Sequence, residues 1–217
     1  MANSAANIAI IDYGMGNLYS VVKAIEHVAP GARVELTDAP EAIRAADRVV
    51  FPGQGAARDC MREIEARGLR GAILEAAAEK PFLGICMGLQ VLFEHSAEGD
   101  TPCLGVFPGE VARFDESRMR AAGERLKVPH MGWNGVRQLR SHPLWAGIAD
   151  GARFYFVHSY YVVPAADDLA VASSDYPQAF VCACARANLF AVQFHPEKSA
   201  ADGLRLLANF VAWSGQP

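Results

Sequence analysis

The stretch Pro81-Phe-Leu-Gly-Ile-Cys-Met-Gly-Leu-Gln90 places one cysteine between two glycines, directly after a short apolar run. Such a pattern predicts a strand, a sharp turn at Cys86 and a helix over residues 88–95. Gly84 and Gly88 have no Cβ, so the strand and the helix can approach each other closely. The dipole of that helix would favour the thiolate form of a thiol at its N-terminus. The stretch therefore favours a nucleophilic cysteine over the alternative, a buried core cysteine.

Strand-like and helix-like segments alternate over the first half of the chain. The predicted strands cover residues 7–13, 33–36, 48–51 and 82–86, and the predicted helices cover residues 18–28, 57–67 and 69–79. This alternation is typical of an α/β fold, in which helices cover both faces of a parallel sheet. Functional sites of such sheets lie at the carboxyl ends of the strands. The turns after Tyr13, Phe51 and Ile85 are therefore predicted to meet at one site.

The second half of the chain is rich in strands separated by turn residues. Strands are predicted over residues 106–114, 132–139, 153–163, 169–173 and 180–195, the last with a hairpin turn around Arg186–Asn188, and a closing helix over 203–213. Short strands joined by turns indicate antiparallel additions to the same sheet. Because no linker, repeat or low-complexity tract interrupts the pattern, residues 1–217 are predicted to form a single domain.

Composition and charge argue against several classes of protein. The chain has 217 residues, of which 52% are hydrophobic and 20% charged, and its net charge is −4. This balance predicts no basic surface for nucleic acid, and no run approaches the ~18 apolar residues of a membrane span. Residues 1–6 lack the basic and apolar regions of a signal peptide. We therefore expect a cytoplasmic protein with neither nucleic-acid nor membrane partners.

The five cysteines are scattered along the chain and odd in number. This usage is a poor disulfide framework and fits a reducing compartment. Cys182 and Cys184 lie two residues apart in a strand-like run, so both are expected to face the same side as small core residues. No metal site is predicted, and Cys60, Cys103, Cys182 and Cys184 are assigned no role beyond packing.

A nucleophilic cysteine needs a base, and the base needs a group that orients it. His195 ends an apolar strand, and Glu197 follows two residues later, a spacing that projects to the same side of an extended chain. Pro196 stiffens the link between them. His195 and Glu197 are therefore predicted as the base and the orienting group of Cys86. The alternative is a solvated strand end that carries the two residues by chance.

The loop Pro52-Gly-Gln-Gly55 follows a predicted buried strand. Such a loop can turn its backbone N–H groups into a neighbouring crevice, where they would stabilise the oxyanion of a tetrahedral intermediate. The alternative is an ordinary strand-exit loop. Since no Gly-Lys-Ser/Thr follows, the loop does not match a nucleotide-binding P-loop.

Three segments together resemble a known family. Gly84-Ile-Cys-Met-Gly-Leu-Gln90, Pro52-Gly-Gln-Gly55 and Gln193-Phe-His-Pro-Glu197 are similar, in order and spacing, to the nucleophile elbow, oxyanion strand and His-x-Glu segment of class I (triad-type) glutamine amidotransferases. The resemblance covers essentially the whole chain and implies a flavodoxin-like, mostly parallel sheet flanked by helices. It also implies a glutaminase that forms a γ-glutamyl thioester and needs no cofactor.

The resemblance also implies roles for individual residues. Cys86 would be the nucleophile, His195 the acid–base and Glu197 the orienting group. The implied oxyanion hole consists of backbone N–H groups of Gly53, Gln54, Gly55 and Met87. The implied pocket for the substrate L-glutamine consists of Gln90, His158, Ser159 and Tyr160.

Four less general segments resemble one branch of this family. They are Asp12-Tyr-Gly-Met-Gly-Asn17, Pro129-His-Met-Gly-Trp-Asn134, Tyr155-Phe-Val-His-Ser-Tyr160 and Phe194-His-Pro-Glu-Lys-Ser199. Members of that branch pass ammonia to a (β/α)₈-barrel cyclase, with which they form a heterodimer in histidine biosynthesis. The resemblance implies that Asn17, Trp133, Tyr155 and Lys198 face the cyclase around the ammonia exit. The alternative for Trp133 and Tyr155 is core packing.

Three rival functions remain open from the sequence. They are a class I amidotransferase that serves another synthetase, a cysteine hydrolase or chaperone of related fold that acts alone, and a catalytically silent binding module. A complete Cys–His–Glu set argues against the last. If ammonia is made for a partner, we expect the isolated chain to be nearly inactive, because a free glutaminase would waste glutamine.

Overall fold

Five parallel strands form the part of the fold that carries the site in the computed structural model, which describes residues 6–115, 117 and 127–216. In spatial order they are β2 (Arg33–Thr37), β1 (Asn7–Ile11), β3 (Arg48–Gly53), β4 (Phe82–Cys86) and β14 (Leu189–Val192). The predicted α/β class and the parallel sheet are confirmed. The prediction about a signal peptide rests on residues 1–6, of which residues 1–5 lie outside the described residues.

Helices cover both faces of this sheet. They are α1 (Leu18–Val28), α2 (Pro40–Ala45), α3 (Ala57–Ala66), α4 (Arg70–Glu79), the short α5 (Met87–Gln90) and α6 (Ala200–Ala212). One core contains Ile8 and Ile10 of β1 with residues of α1 and α6, and the other contains Ala9 and Ile11 with residues of α2, α3 and α4. Alternate side chains of a strand face opposite sides, so one apolar strand serves both cores. Among the described residues, no helix is both long and apolar enough to cross a membrane.

The helix predicted over residues 88–95 is shorter than expected. It ends at Gln90, after which the N–H groups of Leu92 and Phe93 bond carbonyls three residues earlier instead of four. N–H groups of residues 104–107 then donate to the carbonyls of residues 91–93. These bonds satisfy the carbonyls that a longer helix would have used, which ends the helix after one turn.

Antiparallel strands extend the sheet beyond β14, as predicted. They include β7 (Gly109–Arg113), β11 (Tyr160–Pro164), β12 (Ala170–Asp175) and β13 (Ala179–Arg186), with the two-residue strands β6 (Thr101–Pro102) and β9 (Arg137–Gln138). The two-residue β5 (His95–Ser96) pairs antiparallel with β6 but parallel with β7. β13 and β14 form the hairpin predicted around Arg186–Asn188. β14 itself pairs in parallel with β4 and so belongs to the parallel half. In the part of the chain that the structure describes, three short 3-10 helices cover Pro143–Trp145, Asp167–Leu169 and Pro196–Lys198.

Two predicted strands, over 132–139 and 153–163, join the main sheet only through their second parts, β9 and β11. β8 (His130–Gly135) and β10 (Arg153–His158) form a separate antiparallel pair. The strand predicted over 153–163 is accordingly divided at Ser159 into β10 and β11. The backbone of Tyr155 in β10 bonds His195 and Ser199 rather than a strand of the main sheet. The pair thus lies against the segment that follows β14.

Cys182 and Cys184 face different cores, so the prediction that they share a face is wrong. The pairing of β13 with β12 shifts register, since Ala172 pairs with Ala183 and Ser173 with Val181. Cys182 is the extra residue between them, and such a bulge breaks the alternation of side chains along a strand. Within the described residues, no group of three or more His, Cys, Asp or Glu side chains is arranged to hold a metal ion.

Candidate active site

Cys86 occupies a strained turn between β4 and α5. Its backbone has φ 56° and ψ −109°, a region that costs a non-glycine residue about 1–3 kcal/mol. A Cβ on Gly88 would collide with the carbonyl oxygen of Phe51, and a Cβ on Gly84 would lie 2.9 Å from that of Ala191. The two glycines therefore permit the predicted elbow between neighbouring strands. The elbow holds the thiol of Cys86 at the carboxyl edge of the sheet.

His195 and Glu197 form a buried pair just beyond β14. Nδ1 of His195 donates to Oε1 of Glu197 over 2.8 Å, and the two side chains are 3% and 2% exposed. The N–H of His195 donates to the carbonyl of Tyr155 in β10, and Oγ of Ser199 donates to the carbonyl of His195. Glu197 lies in the 3-10 helix Pro196–Lys198. The two residues are thus joined by a tight helical turn. The prediction had relied on an extended chain between them, and this part of it is wrong.

Opposing effects act on the pKa of His195. Burial alone would lower it, but the negative charges of the Cys86 thiolate and the Glu197 carboxylate prevail and raise the pKa to about 10. Nδ1 is engaged by Glu197, whereas Nε2 has no hydrogen-bond partner among the described residues. Nε2 is therefore the nitrogen available to the thiol. The raised pKa keeps the His195 ring protonated at neutral pH, so Nε2 carries a proton near the thiol of Cys86.

Cys86 and His195 line a cavity of about 450 Å³, a usual size for a small-molecule site. The predicted site residues that line it are Gln54, Gly55, Cys86, Met87, Gln90, Tyr155, His158, Ser159, Tyr160, His195 and Lys198. Glu98, Pro129 and Val157 also line it, although the sequence analysis assigned them no role. Members of all four predicted groups therefore meet at the carboxyl edge of the sheet.

Four predicted site residues do not line this cavity. Gly53, Asn17 and Glu197 line a second, much smaller cavity of about 10 Å³, which His195 also borders. Trp133 lies on β8 with 44% of its surface exposed, and its ring centroid is 6.3 Å from that of Tyr155. The exposure of Trp133 contradicts the alternative that this residue packs in the core.

Two buried residues that the sequence analysis left unassigned brace the Pro52–Gly55 loop. The hydroxyl of Tyr13 donates to Sγ of Cys60 over 3.8 Å, and that thiol donates to the carbonyl of Gln54 over 3.4 Å. Burial raises the pKa of Tyr13, and it raises the pKa of Cys60 to about 12, so both groups keep their protons. The N–H groups of Gln54 and Gly55 donate no hydrogen bond to another described residue. Both residues line the cavity that Cys86 borders.

The wall formed by Gln90 and His158 is a hydrogen-bonded network. Nε2 of Gln90 donates to the carbonyl of Tyr160 at 3.2 Å, while its Oε1 has no partner among the described residues. Nδ1 of His158 donates to the same carbonyl at 2.8 Å, and its Nε2 accepts from Nδ1 of His130 at 2.9 Å. Burial lowers the pKa of His158 to about 3 and that of His130 to about 4, so both rings are neutral. His158 shapes the wall while both its ring nitrogens are engaged.

The family of the chain follows from comparison with known proteins. Residues 9–213 match the family model described as glutamine amidotransferase class-I. The chain belongs to this family. The elbow at Cys86, the His195–Glu197 pair and the cavity between them lie within the matched region. The resemblance stated from the three motifs is thereby confirmed at the level of the family.

Curated members of the family include proteins of high identity. The chain is 65% identical over 97% of its length to the imidazole glycerol phosphate synthase subunit HisH of Thiobacillus denitrificans, of which it covers 92%. It is 64% identical over 96% of its length to the protein of the same name from Aromatoleum aromaticum, of which it covers 99%. Class I amidotransferases of this name are therefore similar to the chain from end to end.

Solved structures share the fold at much lower identity. A putative GMP synthase protein from Thermoplasma acidophilum superposes with a TM-score of 0.70 at 18% identity, covering 96% of this chain and 93% of that one. PurLQS from Thermotoga maritima gives a TM-score of 0.70 at 16% identity, covering 96% and 98%. At such identities the likeness supports the amidotransferase fold and nothing narrower.

Proposed function

We propose that the chain is the glutaminase subunit of an imidazole glycerol phosphate synthase and hydrolyses L-glutamine to glutamate and ammonia. The observation that carries the proposal is the placement of Cys86 on a strained elbow beside the buried His195–Glu197 pair, in a cavity of small-molecule size. The relatives that are 64–65% identical along nearly their whole length bear this subunit name, which supports the same assignment here.

The first half of the reaction is acylation of Cys86. Its thiolate attacks the side-chain amide carbon of glutamine, so the S–C bond forms as the carbonyl oxygen becomes an oxyanion. The imidazolium of His195 gives its Nε2 proton to the departing nitrogen, which leaves as ammonia when the C–N bond breaks. Glu197 keeps the proton on Nδ1 throughout and holds the ring in one orientation.

The second half is hydrolysis of the thioester. Neutral His195 takes a proton from water through Nε2, and the hydroxide equivalent attacks the thioester carbon. Glutamate leaves as the C–S bond breaks, which restores the thiolate and the imidazolium. In both halves the oxyanion would accept hydrogen bonds from the N–H of Met87 and from the Gly53–Gly55 loop, where Gln54 and Gly55 have unused donors.

Glutamine would be held by the opposite wall of the cavity. The unpaired Oε1 of Gln90 is an acceptor for the α-ammonium group, and Ser159 and Tyr160 line the same cavity. A buried acceptor without a partner is costly, so binding of an ammonium group there is favoured. No cofactor enters this scheme, because the thiolate, the histidine and water supply every atom and proton that the reaction needs.

The partner in this proposal is a (β/α)₈-barrel cyclase, joined to the chain as a heterodimer. Ammonia would pass to it and be used to make imidazole glycerol phosphate and aminoimidazole carboxamide ribotide in cytoplasmic histidine biosynthesis. The exposed Trp133 and Met131 on β8 offer apolar anchors for such an interface. The small cavity lined by Asn17, Glu197 and His195 has roughly the volume of one water-sized molecule, which suits ammonia. Tyr155 and Lys198 would complete the exit from the larger cavity.

The proposal is tested by mixing the chain with a barrel cyclase and measuring glutamate release with and without the nucleotide substrate of the cyclase. We expect little glutamate from the chain alone and strong stimulation by the liganded cyclase. Cys86→Ala should abolish glutamine-dependent cyclisation but leave ammonia-dependent cyclisation intact. Cys103→Ala, a buried cysteine outside the cavity, is the matched control and should retain both.

Each rival function gives a different result. Strong glutaminase activity of the isolated chain would refute the dependence on a partner, and activation by another synthetase would refute the choice of the cyclase. A chain that never releases glutamate would favour a hydrolase of another substrate or a binding module. Retained glutamine use by Cys86→Ala would exclude Cys86 as the nucleophile.

A further inference from the structure

Gln193 is a fully buried amide behind the wall of the candidate active site, in contact with two residues that line the cavity. It follows β14 directly, two residues before His195, in a run that is otherwise apolar up to that histidine. A buried amide without hydrogen bonds would destabilise the fold by several kcal/mol. The partners of Gln193 therefore indicate why an amide occupies this position.

Both ends of the Gln193 side chain are engaged. Its Oε1 accepts from Nε2 of Gln90 at 3.0 Å, and its Nε2 donates to Sγ of Cys86 at 3.7 Å, within range for a bond to sulfur. Gln90 in turn is fixed by the main chain, because its Nε2 also donates to the carbonyl of Tyr160. The network thus runs from a backbone carbonyl through two amides to the nucleophile.

This network admits one orientation of each amide. The carbonyl of Tyr160 can only accept, so the atom of Gln90 that faces it must be the nitrogen. That nitrogen then requires an acceptor on Gln193, which places Oε1 of Gln193 towards Gln90 and its Nε2 towards the sulfur. The same orientation leaves Oε1 of Gln90 unpaired.

The backbone of Gln193 is positioned by the bulge in β13. Its N–H donates at 2.8 Å to the carbonyl of Cys182, the extra residue of that bulge. Cys182 is fully buried, and burial raises the pKa of its thiol well above the usual value, which leaves it without reactive character. The bulge at Cys182 thus aligns, through a main-chain carbonyl, the residue that touches the nucleophile.

We propose that Gln193 is a further catalytic residue. Its side-chain N–H donates a hydrogen bond to the Cys86 thiolate, and its Oε1 fixes the amide of Gln90 so that Oε1 of Gln90 is left to accept from the substrate. The N–H of Gln193 stabilises the charged sulfur more than the neutral thiol, because a hydrogen bond to an ionised acceptor is roughly twice as strong. After acylation the same donor faces an uncharged thioester sulfur. It therefore favours departure of the thiolate when water attacks. The predicted effect of Gln193 on turnover rests on the proposed glutaminase activity. The predicted effect of Gln193 on the Cys86 thiolate does not depend on that activity.

The experiment compares Gln193→Met with Gln138→Met. Methionine keeps the length of the side chain but removes the donor and the acceptor. Gln138, in β9, donates its amide to the carbonyl of Ile148 outside the cavity and is the matched control. We measure the rate of Cys86 alkylation by iodoacetamide against pH, reading the Cys86 peptide by mass spectrometry, and kcat and KM for glutamine in the complex with cyclase.

Gln193→Met removes the N–H donor to Cys86. It should raise the pH at which Cys86 alkylation is half-maximal by about one to two units and lower kcat about ten- to a hundredfold. Gln138→Met should change neither. Gln193→Glu retains the acceptor for Gln90 but puts a carboxylate beside the sulfur. It should raise the midpoint further than Gln193→Met, and it keeps the test decisive if the methionine variant does not fold.

An unchanged midpoint in either folded Gln193 variant would overturn the proposal, as would a loss confined to KM. Alkylation needs no turnover, so failure of the glutaminase function is distinguishable. A wild-type chain that releases no glutamate, yet shows the midpoint shift on substitution, would refute the activity and retain the role of Gln193.

Discussion

Replacement of Glu197 by glutamine removes one negative charge from the buried pair while keeping its shape. The wild-type carboxylate accepts from Nδ1 of His195 at 2.8 Å, and both side chains are nearly inaccessible to water. The amide oxygen of the introduced glutamine could still accept that N–H, so the ring orientation would survive. Glu197→Gln therefore isolates the contribution of the charge.

Two limits bound the free energy that the charge of Glu197 contributes to protonated His195. A hydrogen bond to a charged partner is worth about 1.5–3 kcal/mol and a neutral one about 0.5–1.5, so the lost difference is at least about 1 kcal/mol. Coulomb's law gives about 4 kcal/mol for unit charges ~4 Å apart at an effective dielectric constant of ~20. A middle value of about 2 kcal/mol lowers the pKa of His195 by about 1.5 units, from its value of about 10. The same free energy corresponds to roughly thirtyfold in kcat.

The assay is NMR titration of histidine-labelled protein, with the His195 signal assigned by its loss in a His195→Asn variant, alongside kcat of the complex with cyclase. Glu75→Gln is the matched control, because Glu75 forms an exposed pair with Arg44 on the surface. We expect a lower midpoint for His195 and a lower kcat only in Glu197→Gln. An unchanged titration in that variant, with unchanged kcat, would refute the electrostatic role of Glu197.

Two further predictions concern stability. Gly88→Ala should destabilise the fold by about 3 kcal/mol or more, since its Cβ would meet the carbonyl of Phe51 and a backbone atom cannot move aside cheaply. Gly71→Ala, at an exposed position of α4, should stabilise the fold by up to about 1 kcal/mol. Equal urea midpoints for the two variants would contradict this. Burial lowers the pKa of His130 and His142 to about 4 and that of His158 to about 3, so at pH 5 these rings are neutral in the fold and charged in the unfolded chain. The unfolded chain then binds about three more protons, and stability should fall with decreasing pH by roughly 4 kcal/mol per unit between about pH 6 and 4.5. His142→Asn should remove about a third of the histidine contribution to this slope in urea unfolding at successive pH values, and an unchanged slope would count against it.

Local signals explain why the first half of the fold could be predicted from the sequence. Helix α1 begins and ends where its apolar stripe does, at Leu18 and Val28. Strand β4 matches its apolar run over residues 82–86. The signal for the elbow is equally local, because two glycines flank the cysteine within five residues of sequence, over residues 84–88. Short α2, with six residues and one buried side chain, left too little periodicity to be recognised.

Long-range contacts explain what the sequence left out. The end of α5 depends on a loop at residues 104–107, and the separation of β8 and β10 depends on bonds from Tyr155 to the segment after β14. The bulge at Cys182 depends on register with β12. A polar residue in an apolar run was the one available signal for Gln193, and recognising its role required the position of Cys86, 107 residues away.

Partners, rather than burial, decide which histidine of the cavity carries charge. His130, His158 and His195 are all buried, and burial alone lowers the pKa of each. His158 donates to a backbone carbonyl, which raises its pKa less than burial lowers it, and its other partner is a neutral ring. Of these three rings, His195 alone has a carboxylate on one nitrogen and a thiolate near the other. Glu197 therefore determines more than an orientation: its charge adds to the effect of Cys86 in keeping His195 cationic while its two buried neighbours are neutral.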